Sequence, residues 1–466
     1  MTGAGGAGGA TPSGAPAPPA PVALLGGWGR YPLAKCLVFR PERRAAVAET
    51  LAAKAAPSFI ARGLGRSYGD AALNADGGVV VHDRLDRMLD FDAARGELTC
   101  EAGVSFADII AWGLPRGWLP PVTPGTKFVT VGGAIAADVH GKNHHRDGTL
   151  ATFLRSLTLL TADGEIVKAS PGERADVFWA TVGGIGLTGM ILDARLRLRA
   201  VESGWISVDY RKARHLDETL AVFAESDAGS PYSVAWIDCL ARGRAMGRAV
   251  LMHGDHASAA EVRAAGRPAI PRRGGGLTVP CDVPGALLTP LTMRMFNAAY
   301  YASHRDARGR LVDFDRFFYP LDGVGHWNRL YGRRGFVQYQ AVLPAADGAR
   351  GLAALLERVS GSGRPSFLAV LKRLGPANEG LLSFPCEGYT LALDVPVRPG
   401  LVEFLRELDR IVLERGGRIY LAKDATATPE AVRAMYPRLY EFRAIKARLD
   451  PRGVLSSSLA RRVGLV

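Results

Sequence analysis

Between positions 140 and 145 the chain places His140, Lys142, Asn143, His144 and His145, directly behind Val129-Thr-Val-Gly-Gly-Ala-Ile-Ala-Ala137, a run of mostly small residues. Imidazole accepts a proton near neutral pH and ammonium holds an anion, so His140 and Lys142 suit a reacting alcohol or its phosphate. The spacing also permits two imidazoles on one helical face, as in a zinc site. That reading fits poorly: Gly141 and Asn143 weaken a helix, no glutamate completes an HExxH pattern, and Lys142 repels a divalent ion. No metal is expected, which leaves structural hydrogen bonding or proton chemistry beside a cofactor.

Three glycine-rich stretches could supply that cofactor's cradle. The first is Ala61-Arg62-Gly63-Leu64-Gly65-Arg66-Ser67-Tyr68-Gly69-Asp70. Its glycines let backbone N–H groups converge on an anion and its arginines add charge-assisted hydrogen bonds, although a plain surface turn has the same composition. It has neither the Gly-Lys-Ser/Thr ending of a Walker loop nor the GxGxxG order of a Rossmann turn. The second runs from Pro124 through Gly125, Thr130, Val131, Gly132, Gly133 and Ala137 to Asp138. Its minimal bulk suits a flat ligand lying on backbone, or a close helix contact. The third is Trp179-Ala-Thr-Val-Gly-Gly-Ile-Gly-Leu-Thr-Gly-Met-Ile191. Three such stretches within about 130 residues point to a large nucleotide cofactor wrapped by backbone amides.

The elements that must position these residues mix helix and strand. Apolar spacing predicts a helix from Pro41 to Ala56, strands at Ser58–Arg62 and Gly78–His82, and a hairpin over Leu157–Lys168 in which Asp163-Gly164 supplies the positive φ angles of a tight turn. Strand-like runs at Ser233–Asp238, Gly335–Leu343 and Tyr389–Val395 alternate with helical ones, giving an α+β second part. Ser258–Gly285 reads as a mobile loop, and the C-terminal helix stops at Asp450-Pro451. The 466 residues suggest two domains. The expected division is a Gly/Ala/Pro tail over 1–24, a cofactor domain over 25–200, a substrate domain over 201–416, and a segment over 417–466 returning to the first.

Lysine and arginine outnumber aspartate and glutamate 58 to 45, a formal charge of +13 that favours an anionic partner. The basic residues are spread along the chain with no RNA-binding signature, so nucleic acid is not expected. Five scattered cysteines without a CxxC pair argue against a disulfide framework. The opening residues lack a signal peptide's charged and apolar regions, and no window holds the roughly 18 continuous apolar residues of a membrane span. The expected location is therefore cytoplasmic or peripheral to a membrane.

Taken in order, RGLGRSYGD, PGTxxVTVGGAIAxDxHGKNHH, LLTADGEI, FWATVGGxGLTG, GFVQYQ and YLAKD resemble the decaprenylphosphoryl-β-D-ribose oxidase family, FAD-linked oxidoreductases of the vanillyl-alcohol-oxidase type. The resemblance runs from about Gly27 to the C-terminus. It implies an α+β fold whose FAD domain is interrupted by a sheet-and-helix substrate domain. It also implies oxidation of C2′ of a polyprenylphosphoryl ribose to the 2′-keto sugar, followed by reduction by a separate NAD(P)H-dependent keto-reductase. This is a 2′-epimerisation that yields the arabinose donor of cell-wall arabinan. FAD contacts carry over to Ala61–Asp70, Gly125, Thr130–Gly133, Ala137, Asp138, Val139, His140, Ile191 and Tyr420, with no covalent flavin bond at His140. Lys423 matches an active-site lysine, and Tyr68, Lys142, Trp236, Gln338, Gln340 and Lys372 match the sugar pocket. The hydroxyl proton then passes to Lys423, His140 or Tyr68.

Three positions depart from the family pattern. Thr390-Leu-Ala392 stands where the pocket commonly shows Asn-x-Cys, and Phe318 stands for a pocket tyrosine. The cofactor segments are intact while the substrate wall is altered, which opens the reading to another polyprenyl phosphate or sugar. The rivals are an FAD-dependent sugar or aldonolactone oxidase, a flavin-free binding protein, and a metal-dependent hydrolase. The family resemblance also admits a periplasmic location.

Overall fold

The computed structural model describes residues 20–226, 229–271, 276–364, 366 and 368–466. Residues 1–19 of the expected tail and 272–275 of the expected mobile loop lie outside that set.

Short apolar runs bounded by turn residues form the first sheet: β1 (Val22–Gly26), β2 (Leu33–Phe39), β3 (Phe59–Arg62) and β4 (Gly78–Val81), in the order β1-β2-β4-β3. Both β2 and β3 run parallel to β4, whose four residues are all buried, as a strand covered on both faces requires. Val22–Leu24, assigned to the tail by composition, instead pair with Lys35–Leu37. The helix expected over Pro41–Ala56 spans only Arg44–Ala52; Lys54 beyond it turns left-handed at φ 50° and ends the run.

The second sheet is antiparallel: β5 (Met88–Asp92), β6 (Glu97–Glu101), β7 (Leu154–Leu160), β8 (Ile166–Ala169) and β9 (Met190–Arg197), in the order β5-β6-β9-β7-β8. β7 and β8 are the predicted hairpin, with one correction: Gly164 alone has positive φ (85°), not Asp163. Gly164 N donates to Thr161 O (3.1 Å) and Glu165 N to Thr161 Oγ1 (3.1 Å), so the longer loop needs a single left-handed residue.

Eight strands make the third sheet: β10 (Trp205–Ala213), β11 (Tyr232–Ile237), β12 (Ala249–His256), β13 (Ala307–Asp313), β14 (Phe336–Pro344), β15 (Ala369–Leu374), β16 (Gly388–Pro396) and β17 (Arg418–Ile419). Their order is β13-β10-β12-β11-β15-β16-β14-β17. Side chains alternate between its faces. Ala235, Val337, Tyr339, Ala341, Leu371, Leu391 and Leu393 join the apolar core formed with helices Gly348–Gly361 and Leu401–Glu414. Helix Leu401–Glu414 sends Leu401, Phe404, Leu405, Leu408 and Val412 into that core at helical spacing. The intervening strand residues, Trp236, Gln338, Gln340, Lys372 and Ala392, face the other way and line a cavity.

The stretch expected to be a mobile loop contains a helix, Ala259–Ala264, because Ser258 and Glu261 form a reciprocal capping box. The C-terminal segment packs back onto the first sheet: Leu455 bridges Phe59, and Arg462 pairs with Asp70 at 2.6 Å. Helix Leu439–Leu449 ends before Pro451 as expected, its Lys446 in a buried ion pair with Asp450.

Candidate functional site

The cavity has a volume of about 380 Å³, within the usual range of cofactor and small-ligand sites. Residues 61–68 contribute one wall, and Gly125, Thr130, Gly132, Gly133, Ala137, Val139, His140 and Lys142 a second. Ile191, Phe318, Tyr420, Lys423 and the sheet residues named above complete it. Glycine is required where these walls touch their supports. A Cβ on Gly69 would lie 1.6 Å from the Asp424 carbonyl oxygen, and one on Gly63 would lie 2.2 Å from Thr130 Oγ1. The first contact, with Tyr68 N donating to Ala422 O (3.2 Å), holds the Tyr68 loop against the Lys423 segment. The Lys423 ammonium accordingly sits 4.0 Å from the Tyr68 ring centroid.

Five predicted site residues do not line the cavity. Gly69 is pressed on Asp424, and Asp70 is turned to Arg462. Val131 is buried in the core beneath the second sheet. Asp138, left-handed at φ 41°, accepts from Ser383 and from Asn378 (2.6 Å), and this reversal turns the following His140 inward. Thr390 stands behind Gln340: its hydroxyl donates to Ala341 O (2.9 Å) and accepts from Gln340 Nε2 (3.2 Å).

That last pair fixes the Gln340 amide, because a hydroxyl that spends its proton on a carbonyl can only accept from its other neighbour. The same Nε2 donates to His140 Nε2 (3.0 Å), so the imidazole proton resides on Nδ1. Burial, and then the Lys372 charge, hold His140 well below its ordinary pKa, and the ring is neutral. Tyr420 donates to Ala137 O (2.6 Å) and stacks on Phe384 at 4.7 Å, closing the site behind His140.

Sheet register brings the remaining groups together. Trp236 pairs with Val370, Val370 with Ala392 and Ala392 with Gln340, forming one row across the floor; Lys372 pairs with Thr390, and Gln338 with Asp394, in the rows on either side. Asp394 is fully buried and accepts from Gln338 Nε2 at 2.7 Å. Burial raises its carboxyl to about 7. It lowers the ammonium of Lys423 to about 7 despite the opposing charge of Asp394, that of Lys142 to about 7, and that of Lys372 to about 8. Lys372 is the electrostatic hub, since its charge depresses Lys142, Lys423 and His140 alike. Lys142 donates to Phe317 O and lies 4.1 Å from the Phe317 ring centroid.

Sequence reasoning missed several lining residues, Trp28, His82, Tyr300, Asp322 and Trp327, whereas the third glycine stretch it singled out places Gly186 and Gly189 on the cavity wall. It also missed Asp394 behind them, although a strand's period of two places 394 on the face of 390 and 392. Arg66 packs its guanidinium 4.0 Å from the Trp28 ring centroid. Among the described residues His82 Nε2, His140 Nδ1 and Arg66 Nε are buried without a hydrogen-bond partner, and all three residues line the cavity. Orphaned polar atoms facing a wall of backbone and small side chains fit a polar, flat dinucleotide such as FAD. Among the described residues there is no cluster of side chains able to hold a metal ion.

Residues 36–170 match the FAD binding domain family, and residues 389–463 match the D-arabinono-1,4-lactone oxidase family. The chain is 39% identical, over 95% of its length and 97% of the relative's, to decaprenylphosphoryl-beta-D-ribose oxidase of Mycolicibacterium smegmatis. An uncharacterized protein encoded beside mprA in Streptomyces coelicolor is 40% identical, covering 76% of this chain and 97% of its own. An alditol oxidase from a Streptomyces species is 26% identical, over 90% of this chain and 94% of its own. The protein is an FAD-dependent oxidoreductase acting on a CH–OH group, and it belongs to the decaprenylphosphoryl-β-D-ribose oxidase family.

Proposed function

We propose that the protein oxidises the 2′-hydroxyl of a polyprenylphosphoryl-β-D-ribose to the 2′-keto sugar, the first half of epimerisation to the arabinose donor for cell-wall arabinan. One observation carries this choice of substrate: three half-buried lysines, Lys142, Lys372 and Lys423, line one cavity beside a backbone-walled cradle, where poor hydration holds all three below the ordinary lysine pKa. Like charges so placed repel one another and lose hydration, and a phosphodiester relieves both costs. A neutral polyol leaves them unrelieved.

FAD, when bound, supplies the two-electron acceptor; Ala61–Tyr68, Gly125, Thr130, Gly132, Gly133, Ala137, Val139, His140, Ile191 and Tyr420 would hold it. Lys142 and Lys372 bind the phosphate. Lys423, poised at about 7, accepts the hydroxyl proton at Nζ as the adjacent C–H bond breaks. His140 is a poor base because its Nε2 is engaged by Gln340, and its Nδ1–H serves as a donor. Burial raises the Tyr68 phenol well above its ordinary pKa, so it stays protonated and packs against Lys423. Phe318, Trp236 and Ala392 shape the sugar wall and exclude water. With the His140 ring committed to Gln340, the flavin is dissociable, and acid precipitation releases it to the supernatant.

A separate NAD(P)H-dependent keto-reductase takes the product, and the protein works at the periphery of a membrane. Among the described residues no helix is long and apolar enough to cross one. The match of residues 389–463 to the lactone oxidase family favours one alternative, oxidation of a free sugar or aldonolactone. Anaerobic mixing decides: flavin bleaching with farnesylphosphoryl ribose but not with ribose or an aldonolactone is expected. Bleaching by the uncharged compounds alone overturns the proposal.

A further inference from the structure

Helix Pro290–Ser303 is inverted relative to an ordinary surface helix. Its single fully buried residue is polar: Asn297 donates to Asp238 Oδ1 (2.7 Å), and Asp238 is in turn paired with Arg248 (2.7 Å). Its exposed residues include Thr292, Arg294 and Ser303 but are dominated by an apolar stripe. Leu291 and Met295, one turn apart, are 68% and 65% exposed; Phe296 beside them and Leu287 just before the helix are 45% and 59% exposed. Ala298 and Ala302 continue the same stripe. A helix that only covers a protein core shows the reverse pattern.

The helix is firmly fixed. Thr289 and Thr292 form a capping box at its start, Arg398 donates to Leu288 O (2.6 Å), and Leu288 and Met293 pack with Trp327 and Phe336. The apolar stripe is therefore held outward by specific contacts on the other side. It is also continuous with the candidate site. Trp236 of the cavity floor lies 4.5 Å from Tyr300, and Tyr300 lies 6.2 Å from Phe296, ring centroid to centroid. A file of three rings thus leads from the sugar wall to the exposed stripe.

We infer that helix Pro290–Ser303, with Leu287, is a lipid-docking platform that seats the protein on an anionic bilayer surface, bringing the cavity mouth to the membrane so that a polyprenyl tail stays in lipid while its sugar phosphate enters. The occupant follows from charge and continuity. Residues 283–305 contain no aspartate or glutamate but include Arg294 and Arg305, in a chain of net charge +13. Exposed leucine, methionine and phenylalanine beside arginine is the chemistry of a helix lying in a membrane interface. The polyprenyl tail and the membrane periphery belong to the oxidase reading above; the assignment of this helix as the contact surface rests on its own exposure and charge.

The test uses the full-length, FAD-loaded protein with vesicles of phosphatidylglycerol and phosphatidylcholine, and with phosphatidylcholine alone. The expected results are co-sedimentation with the anionic vesicles and slowed amide hydrogen exchange across 287–303 of the unmodified protein on their addition. Leu291→Glu/Met295→Glu should lower the vesicle-bound fraction by about tenfold. That variant should keep its flavin content and its bleaching rate with soluble farnesylphosphoryl ribose, while losing turnover of a long-chain substrate presented in vesicles. Wild-type protein that bleaches with the soluble substrate yet ignores vesicles overturns the platform and leaves the oxidase standing. Vesicle binding without bleaching by the soluble substrate does the opposite. Protection of 287–303 by a second copy or by a reductase, with no vesicle binding, also overturns the platform.

Discussion

Replacing Asp394 by asparagine should move the rising limb of the enzyme's pH profile to lower pH. Asp394 is fully buried, held by Gln338 at 2.7 Å, and its charge opposes the burial that brings Lys423 down to about 7. Asparagine keeps the shape and removes the charge. A buried opposite charge nearby is worth about one pKa unit or more, so Lys423 should titrate near or below about 6 in the variant. The sign follows from chemistry. Lys423 accepts the hydroxyl proton in its neutral form, so the rate rises with pH through the lysine's pKa, and lowering that pKa moves the rising limb to lower pH. In the wild type the limb belongs to the Asp394–Lys423 pair, which titrates over one range; in the variant it belongs to Lys423 alone. Because the Asp394 carboxyl is itself raised to about 7 and carries its charge only from about that pH upward, the gain is confined to that part of the limb and is no more than about twofold relative to each protein's own plateau. Anaerobic stopped-flow bleaching between pH 5 and pH 9, at saturating phosphoryl ribose, reads the limb directly. A limb that stays in place, or moves upward, refutes the assignment of Lys423 as base and Asp394 as its counter-charge, whatever happens to the plateau.

The same structure makes three further predictions. Gly69→Ala should abolish flavin retention and turnover, since the added Cβ meets the Asp424 carbonyl at 1.6 Å and must separate the Tyr68 loop from Lys423; flavin absorbance per protein checks this, and a normal flavin content would contradict it. Asp450→Ala should cost about 3–5 kcal/mol in urea unfolding, because Asp450 pairs with buried Lys446 and accepts from Val454 N (2.8 Å) and Leu455 N (2.7 Å). Inhibitors that bond to the family's pocket cysteine should leave no adduct on this protein, where Ala392 lines the cavity, whereas Ala392→Cys should acquire one by intact-protein mass spectrometry.

Chemistry carried by contiguous residues was legible from the sequence. Gly63, Gly65 and Gly69 within one loop, and Gly132 and Gly133 before His140, announce a backbone cradle because small residues and chain reversals are local properties. Ala61–Tyr68 and Val139–Lys142 do line one cavity. The α+β class was equally legible, since period-two and helical apolar patterns are local as well. Tertiary structure alone decided how the cradle meets the sheet. Lys423 reaches Tyr68 because Gly69 packs on Asp424, and Asp394 stands behind the site because β14 and β16 pair in one register out of many. Register and burial are long-range outcomes, and they alone bring three lysines toward neutral pKa and turn the apolar face of helix Pro290–Ser303 outward. Composition specifies which groups the chain owns; desolvation, which exists only once the chain has folded, specifies which of them can exchange a proton.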